Sequence, residues 1–316
     1  MFSRHVLTTM LACLAVCLTA CVPAPSGVAS PTSVRIASLA GPTTMGLVWL
    51  MNQNNPEFDF TVAGTPDTVS TQLAAGRVDV GLMPVNLASV LYNKTDGAVR
   101  LAAVNTLGVL YIVSGDPAVR TLDDLPGHTV VSTGRGTTPQ LVLDEVLRGA
   151  GINVAVDYRS QPTEVASRLA MTPSTVAVLP EPYVSAALAG DKAVHIVADL
   201  GDLWQKTTGT PLVSGAVVVR TDFLAQHPDA WQSFAYNYSE SVMHVNQSPN
   251  EVAPLIVAQG LAPNVAVAEQ AIPRCRIVNL TGDDAKTAVE AYLRVLFAAD
   301  PAAVGNVMPD DSFYAV

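Results

Sequence analysis

The chain has 316 residues, enough for one large domain or two of ordinary size. Hydrophobic residues make up 49% and charged residues 14%, which supports a substantial core and excludes intrinsic disorder. A net charge of -10 with no visible basic face excludes a nucleic-acid partner.

The N-terminus reads as an export signal rather than as fold. Residues 1–5 form a short n-region with Arg4, and residues 6–16 form an apolar run too short to span a bilayer. Leu18-Thr19-Ala20-Cys21 then places a small residue before a cysteine, directly after that run. Residues 1–20 are the expected signal peptide, and residues 21–33, with Pro23, Pro25 and Pro31, the expected tether. Cys13 and Cys17 fall in the signal. Cys275 is expected as a buried small residue rather than a nucleophile.

From residue 34 the chain alternates strands and helices. Residues 34–39 predict a strand, broken by Gly41-Pro42 and followed by a helix carrying Met45, Leu47, Val48, Leu50 and Met51. Thr43 or Thr44 can cap that helix. Strands are expected at 58–63, 78–83 and 99–104, with helices at 67–75 and 87–92. A strand at 109–114 carries the chain onward. Strands at 129–132, 154–158, 175–179 and 194–197 and helices at 139–149, 162–171 and 182–188 predict a second α/β unit. A strand at 213–220 predicts the return crossing. The remainder reads as helical, at 227–246, 249–259, 265–271 and 283–298. The pattern implies lobe 1 from residues 34–110 and 213–316, lobe 2 from residues 111–212, and mostly parallel sheets.

One local pattern occurs twice. The loop Ala40-Gly41-Pro42-Thr43-Thr44 and the loop Thr133-Gly134-Arg135-Gly136-Thr137-Thr138 both join a strand to an amphipathic helix. Such a loop leaves backbone N–H groups free at the positive end of the helix dipole, a favourable place for an anion. Motifs for bond-making chemistry are absent from the sequence. No H-E-x-x-H, zinc-spaced Cys/His cluster, G-x-S-x-G elbow, Walker A loop or G-x-G-x-x-G occurs, so no catalytic residue, metal or cofactor is assigned.

Several segments, in order, resemble a known group. They are L-T-A-C, A-G-P-T-T-M-G-L, T-P-D-T-V, V-D-V-G-L-M-P-V-N-L-A, N-T-L-G-V-L-Y-I-V, L-P-E-P-Y, a G-x-V-V-V-R strand and P-D-D-S-F-Y. Together they resemble the solute-binding lipoproteins of ABC importers, in the branch with nitrate, sulfonate, taurine and thiamine-pyrimidine binders. The resemblance implies an α/β, two-lobed type II periplasmic-binding-protein fold with two crossings and a ligand cleft between the lobes. It implies that L-T-A-C is a bacterial lipobox with Cys21 as the lipidated residue, an extracytoplasmic position on the cell membrane, and ABC permease subunits as partners of a monomer. Thiamine-pyrimidine binders carry a cysteine-rich motif, absent here. The same fold serves cytosolic enzymes of menaquinone and thiamine-precursor synthesis; the lipobox argues against those.

Ligands of α/β sheets lie beyond the carboxyl ends of strands. That rule and the resemblance select Gly41, Thr43, Thr44, Met45, Thr65, Asn86, Thr106, Leu107, Arg135, Thr137, Thr138, Glu181 and Tyr183 as ligand-binding candidates. Thr43, Thr44 and Asn86 have helix capping as the alternative role. Arg135 offers a planar fork to a carboxylate or sulfonate, or is a solvated loop arginine. Glu181, between Pro180 and Pro182, pairs with a ligand amine or caps the next helix. The expected ligand is a small organic anion, with Met45, Leu107 and Tyr183 in apolar contact.

Overall fold

The β-branched and apolar run of residues 34–39 makes a strand with both faces covered. The computed structural model describes residues 33–315 and opens on it. The expected signal, Cys21 and the tether up to residue 32 lie outside the described residues. The first part of the chain gives β1 (Val34–Leu39), a helical turn α1 (Pro42–Met45), α2 (Val48–Asn52), β2 (Phe58–Ala63), α3 (Pro66–Ala74), β3 (Val80–Pro84), α4 (Val85–Lys94) and β4 (Val99–Thr106). The middle gives β5 (Leu110–Ser114), β6 (Thr129–Thr133), α5 (Thr138–Ala150), β7 (Ala155–Arg159), α6 (Pro162–Met171), β8 (Val176–Pro180), α7 (Tyr183–Gly190), β9 (His195–Asp199) and α8 (Leu200–Thr208). The last part gives β10 (Gly215–Arg220), α9 (Thr221–Gln226), α10 (Pro228–Gln247), α11 (Pro249–Ala258), α12 (Val265–Arg274), β11 (Ile277–Leu280) and α13 (Gly282–Ala299).

Two sheets result, one per lobe. Their orders are β11-β4-β10-β3-β1-β2 and β7-β6-β8-β5-β9. Apart from the β11 edge, the two orders are the same: the first αβ strand sits between the second and third, and a strand entering from the other lobe is inserted before the fourth. That inserted strand is antiparallel to both neighbours in each sheet: β10 to β3 and β4, β5 to β8 and β9. The sheets are therefore mixed, where parallel pairing predominated in the expectation. The reason is connectivity, because a chain arriving from the other lobe enters its new sheet from the cleft side. The crossings themselves are residues 107–109 and 209–214. Strands β5 and β10, expected to make the crossings, are ordinary members of their sheets.

Two elements depart from the expected order. The 200–208 segment is a helix, α8, started by Asp199, whose carboxylate accepts from Gly201 N at 2.8 Å and Asp202 N at 3.3 Å. Gly201 in its first turn obscures the helical period. The C-terminal part is not wholly helical, because Ile277–Leu280 pairs antiparallel with β4. Four residues are too few for a strand period to show.

Apolar packing ties the lobes together. One core joins β3, β4, α4 and α13 of the first lobe to β5, β6, β8, α5 and α8 of the second. At its seam the fully buried Trp204 and Tyr292 rings lie 5.4 Å apart. Separate cores cover the outer faces, one under α2, α10, α11 and α12, the other under α6 and α7. Gly108, in the first crossing, lies so close to α8 that a Cβ there would come within 2.8 Å of Gly201 Cα. No helix among the described residues is long and apolar enough to cross a membrane.

Candidate functional site

Between the lobes lies a cavity of about 640 Å³. Its walls follow directly from the topology. The parallel strands β1, β2, β3, β6, β7 and β8 end on it, and the antiparallel β5 and β10 begin on it. Loop residues 39–43, 64–66, 133–135, 137–139 and 158–162 supply the walls, with Pro84, Thr106, Val109, Leu110, Pro180, Glu181, Tyr183 and Ser214.

Helices α3, α5 and α6 point their N-termini at this cavity, with Pro66, Pro139 and Pro162 in their first turns. None of the three has a side-chain cap: Thr65, Thr137 and Gln161 stand at the N-cap positions without bonding the first-turn amides. The Thr137 hydroxyl donates instead to Gly134 O at 2.9 Å. Gly134 has φ 75°, and a Cβ there would lie 2.6 Å from Thr137 Oγ1, so this tight loop requires glycine. Amide donors at three helix starts are thus left to the cavity.

Three charged residues line the cavity: Arg135, Arg159 and Glu181. Arg159 is paired with Asp157. Arg135 has no carboxylate partner among the described residues; its guanidinium lies over the Tyr158 ring, 5.2 Å from the centroid. Glu181 is fully buried. Its carboxylate accepts from Ser185 N at 3.1 Å and Ser185 Oγ at 3.0 Å, and Arg274 Nη1 of the other lobe approaches to 3.9 Å. Burial raises the Glu181 pKa from 4.5 to about 7, against the opposing pull of the Ser185 bonds and Arg274.

The structure gathers nine of the candidates around the cavity: Gly41, Thr43, Thr65, Thr106, Arg135, Thr137, Thr138, Glu181 and Tyr183. Four are placed elsewhere. Thr44 is fully buried, donating to Leu39 O at 2.6 Å and bonded to the Ser38 hydroxyl, because Pro42 moves the helix start to Gly41 and turns Thr44 inward. The capping role expected of Thr43 or Thr44 is therefore not observed. Met45 is fully buried in the core, its Sδ 3.5 Å from Cys275 Sγ. Leu107 packs on the inter-lobe core, the first crossing having turned it away from the cavity. Asn86 is a buried strut: it donates to Ala303 O at 3.3 Å and accepts from Thr138 Oγ1 of the other lobe at 3.3 Å. It does not cap α4. Glu181 meets Ser185 in the first turn of α7, so its bonds are those of the capping alternative rather than of a free partner for an amine.

Sequence reasoning missed Val109 and Leu110, where β5 begins, the loop at 158–162, and Ser214. The loop at 158–162 lies beyond the carboxyl end of β7, where the strand-end rule already pointed, with Pro162 marking the helix start. Ser214 lies in the second crossing, and its Oγ is buried with no partner among the described residues. Only the fold reveals that position.

A family model described as menaquinone biosynthesis matches residues 35–292. Among solved structures, a crystal structure of an ABC transporter from Parabacteroides distasonis is 25% identical, with TM-score 0.80, covering 90% of this chain and 99% of that one. The periplasmic aliphatic sulphonate binding protein SsuA from Escherichia coli is 17% identical, with TM-score 0.68, over 86% and 89%. The periplasmic nitrate-binding protein NrtA from Synechocystis PCC 6803 is 12% identical, with TM-score 0.61, over 87% and 84%. The two-lobed type II periplasmic-binding-protein architecture is common to these structures and to this chain.

Proposed function

The chain belongs to the menaquinone-biosynthesis family, and from its cleft and its structural neighbours we propose that it is a solute-binding protein that captures a small organic anion, a sulfonate or carboxylate, for an ABC importer. The observation that carries the anion is Arg135. Among the described residues it is the lining charge with no opposite charge beside it, and it shares the cavity with three uncapped helix starts. Transport is supported by the 25% identical Parabacteroides distasonis structure, an ABC transporter matched over 99% of its length. Micromolar binding requires about 8 kcal/mol, more than helix dipoles of roughly 0.3–1 kcal/mol each supply, so direct bonds to Arg135 and contact with Tyr183 and Leu110 complete it. An amine on the ligand is not part of the proposal, because the Glu181 carboxylate is turned to Ser185.

The sulfonate- and nitrate-binding relatives are periplasmic, which supports an extracytoplasmic position for this protein. The lipobox adds anchoring through Cys21 to the proposal. Fractionation tests it: Cys21→Ala should leave the membrane fraction for the soluble one, and unchanged detergent partitioning would refute the anchor.

A thermal-shift panel of sulfonates, carboxylates, nitrate, amino acids, pyrimidines and sugars tests the ligand. Stabilisation by sulfonates or carboxylates is expected; stabilisation only by sugars or cations refutes the anion. The family description favours a second reading, an enzyme on the same fold. Glu181, poised near neutral pH at the cavity, would then be its acid or base. Mass spectrometry of the incubated panel separates the two: ligand recovered unchanged supports binding, and conversion to a product supports the enzyme.

A further inference from the structure

We propose that capture of an anion in the cleft is coupled to uptake of one proton by Glu181, so that this residue sets the pH range of binding. The inference rests on the anion reading above.

The geometry that carries it is a carboxylate at the cavity wall, shut off from solvent, whose nearest cation, Arg274, stands 3.9 Å away. Glu181 closes β8 at the cavity and is fully buried. From α7 it meets Ser185, through the amide and the hydroxyl. From α12 it meets Arg274 at 3.9 Å, and that guanidinium spends its short bonds on Ser185 Oγ at 3.1 Å and Gln270 O at 3.0 Å. The remaining titratable neighbours are Cys275, at the end of α12, and Tyr111 on β5, whose hydroxyl donates to Arg274 O at 3.1 Å. Burial pushes both the thiol and the phenol upward, so both stay neutral around pH 7. Glu181 is therefore the group of this cluster whose charge changes near neutral pH.

A negative ligand in the same cavity and a negative Glu181 repel each other across a low-dielectric space. The ligand raises the proton affinity of Glu181, and by reciprocity the proton raises the affinity for the ligand by the same factor. Each pKa unit of that effect is about tenfold in affinity between the acid and alkaline limits. The proton comes from solvent, and no bond other than O–H forms.

The test uses butanesulfonate, whose charge is constant over the range, with wild type and Glu181→Gln in calorimetry from pH 5.5 to 8.5. Wild-type affinity is expected to fall about tenfold as pH rises through 7, with proton uptake shown by the dependence of heat on buffer. Glu181→Gln should hold the acid-side affinity throughout. The same slope in both proteins, or none in wild type, overturns the coupling. Carboxyl 13C NMR of unliganded wild type gives an independent reading: a Glu181 midpoint near 7 supports the coupling, and one near 4.5 overturns it while leaving the anion reading intact. Butanesulfonate binding to neither protein at any pH overturns the anion reading and the coupling with it.

Discussion

Arg135 and Glu181 share one cavity but stand in opposite environments. Arg135 is exposed and has no carboxylate partner among the described residues, so its removal should leave the fold intact and test the proposed ligand contact alone. A charge-assisted hydrogen bond is worth about 1.5–3 kcal/mol. Arg135→Ala should therefore weaken binding of the best sulfonate or carboxylate by about tenfold or more, with an unchanged melting temperature. A lower melting temperature at unchanged affinity would show Arg135 to be structural. Glu181 is buried and holds its proton more tightly folded than unfolded, about 7 against 4.5. Its stabilising contribution is complete below pH 4.5 and is lost as pH rises from 4.5 through 7, a loss of roughly 3 kcal/mol. Glu181→Gln cannot ionise. Relative to wild type it should gain stability between pH 5 and 8.5, and parallel melting curves across that range would refute the assignment. The roles of these residues were only half legible. Glu181 between two prolines marked a stiff position, but its partner Arg274 lies ninety-three positions further along the chain.

At the scale of elements, the helix starts were the most legible feature. Pro66, Pro139 and Pro162 each follow a strand and a short loop, and proline favours the first turn of a helix for local reasons. Capping was not legible, because whether a threonine bonds the first-turn amides depends on how the loop before it is folded. Thr44 shows this: the short α1 begins one residue after Gly41, and Thr44 is drawn to Leu39 O. The first crossing is the element most exposed to substitution. The nearest atom to a Cβ at Gly108 is backbone, Gly201 Cα, with the Arg276 and Leu212 side chains next, so a methyl group there forces the crossing away from α8. Gly108→Ala should destabilise by about 1–3 kcal/mol in urea denaturation. A midpoint equal to that of wild type would show that the crossing yields freely.

For the whole molecule, the seam behind the cavity decides how the lobes are held. Trp204 and Tyr292 are the largest side chains buried across it. Arg276 of the first lobe bonds Asp199 at 2.7 Å and Asp202 at 2.8 Å of the second. Trp204→Ala should cost about 3–5 kcal/mol, by loss of burial and creation of a cavity shared by both lobes. A single cooperative transition at reduced denaturant midpoint is expected, and an unchanged midpoint would show the seam to be unimportant. A hinge motion that keeps this seam closed is expected to turn the lobes about the crossings and to narrow the cavity when ligand binds. Small-angle scattering should then show a smaller radius of gyration with saturating ligand, and superimposable profiles would count against closure.

Local periodicity and composition determined the α/β class, most of the strands and helices, and most of the loops that line the cavity. They did so because strand alternation, helix spacing and Gly-Pro punctuation are properties of neighbouring residues. Tertiary structure alone decided which side of each loop faces the cavity. It sent Met45 and Thr44 into the core, set Asn86 between Ala303 and Thr138, and brought in Ser214 from the second crossing. It also decided that the carboxylate of Glu181 would meet Ser185 and Arg274 out of reach of water. Burial and pairing depend on residues distant in the chain, and a single sequence carries no record of which of them meet.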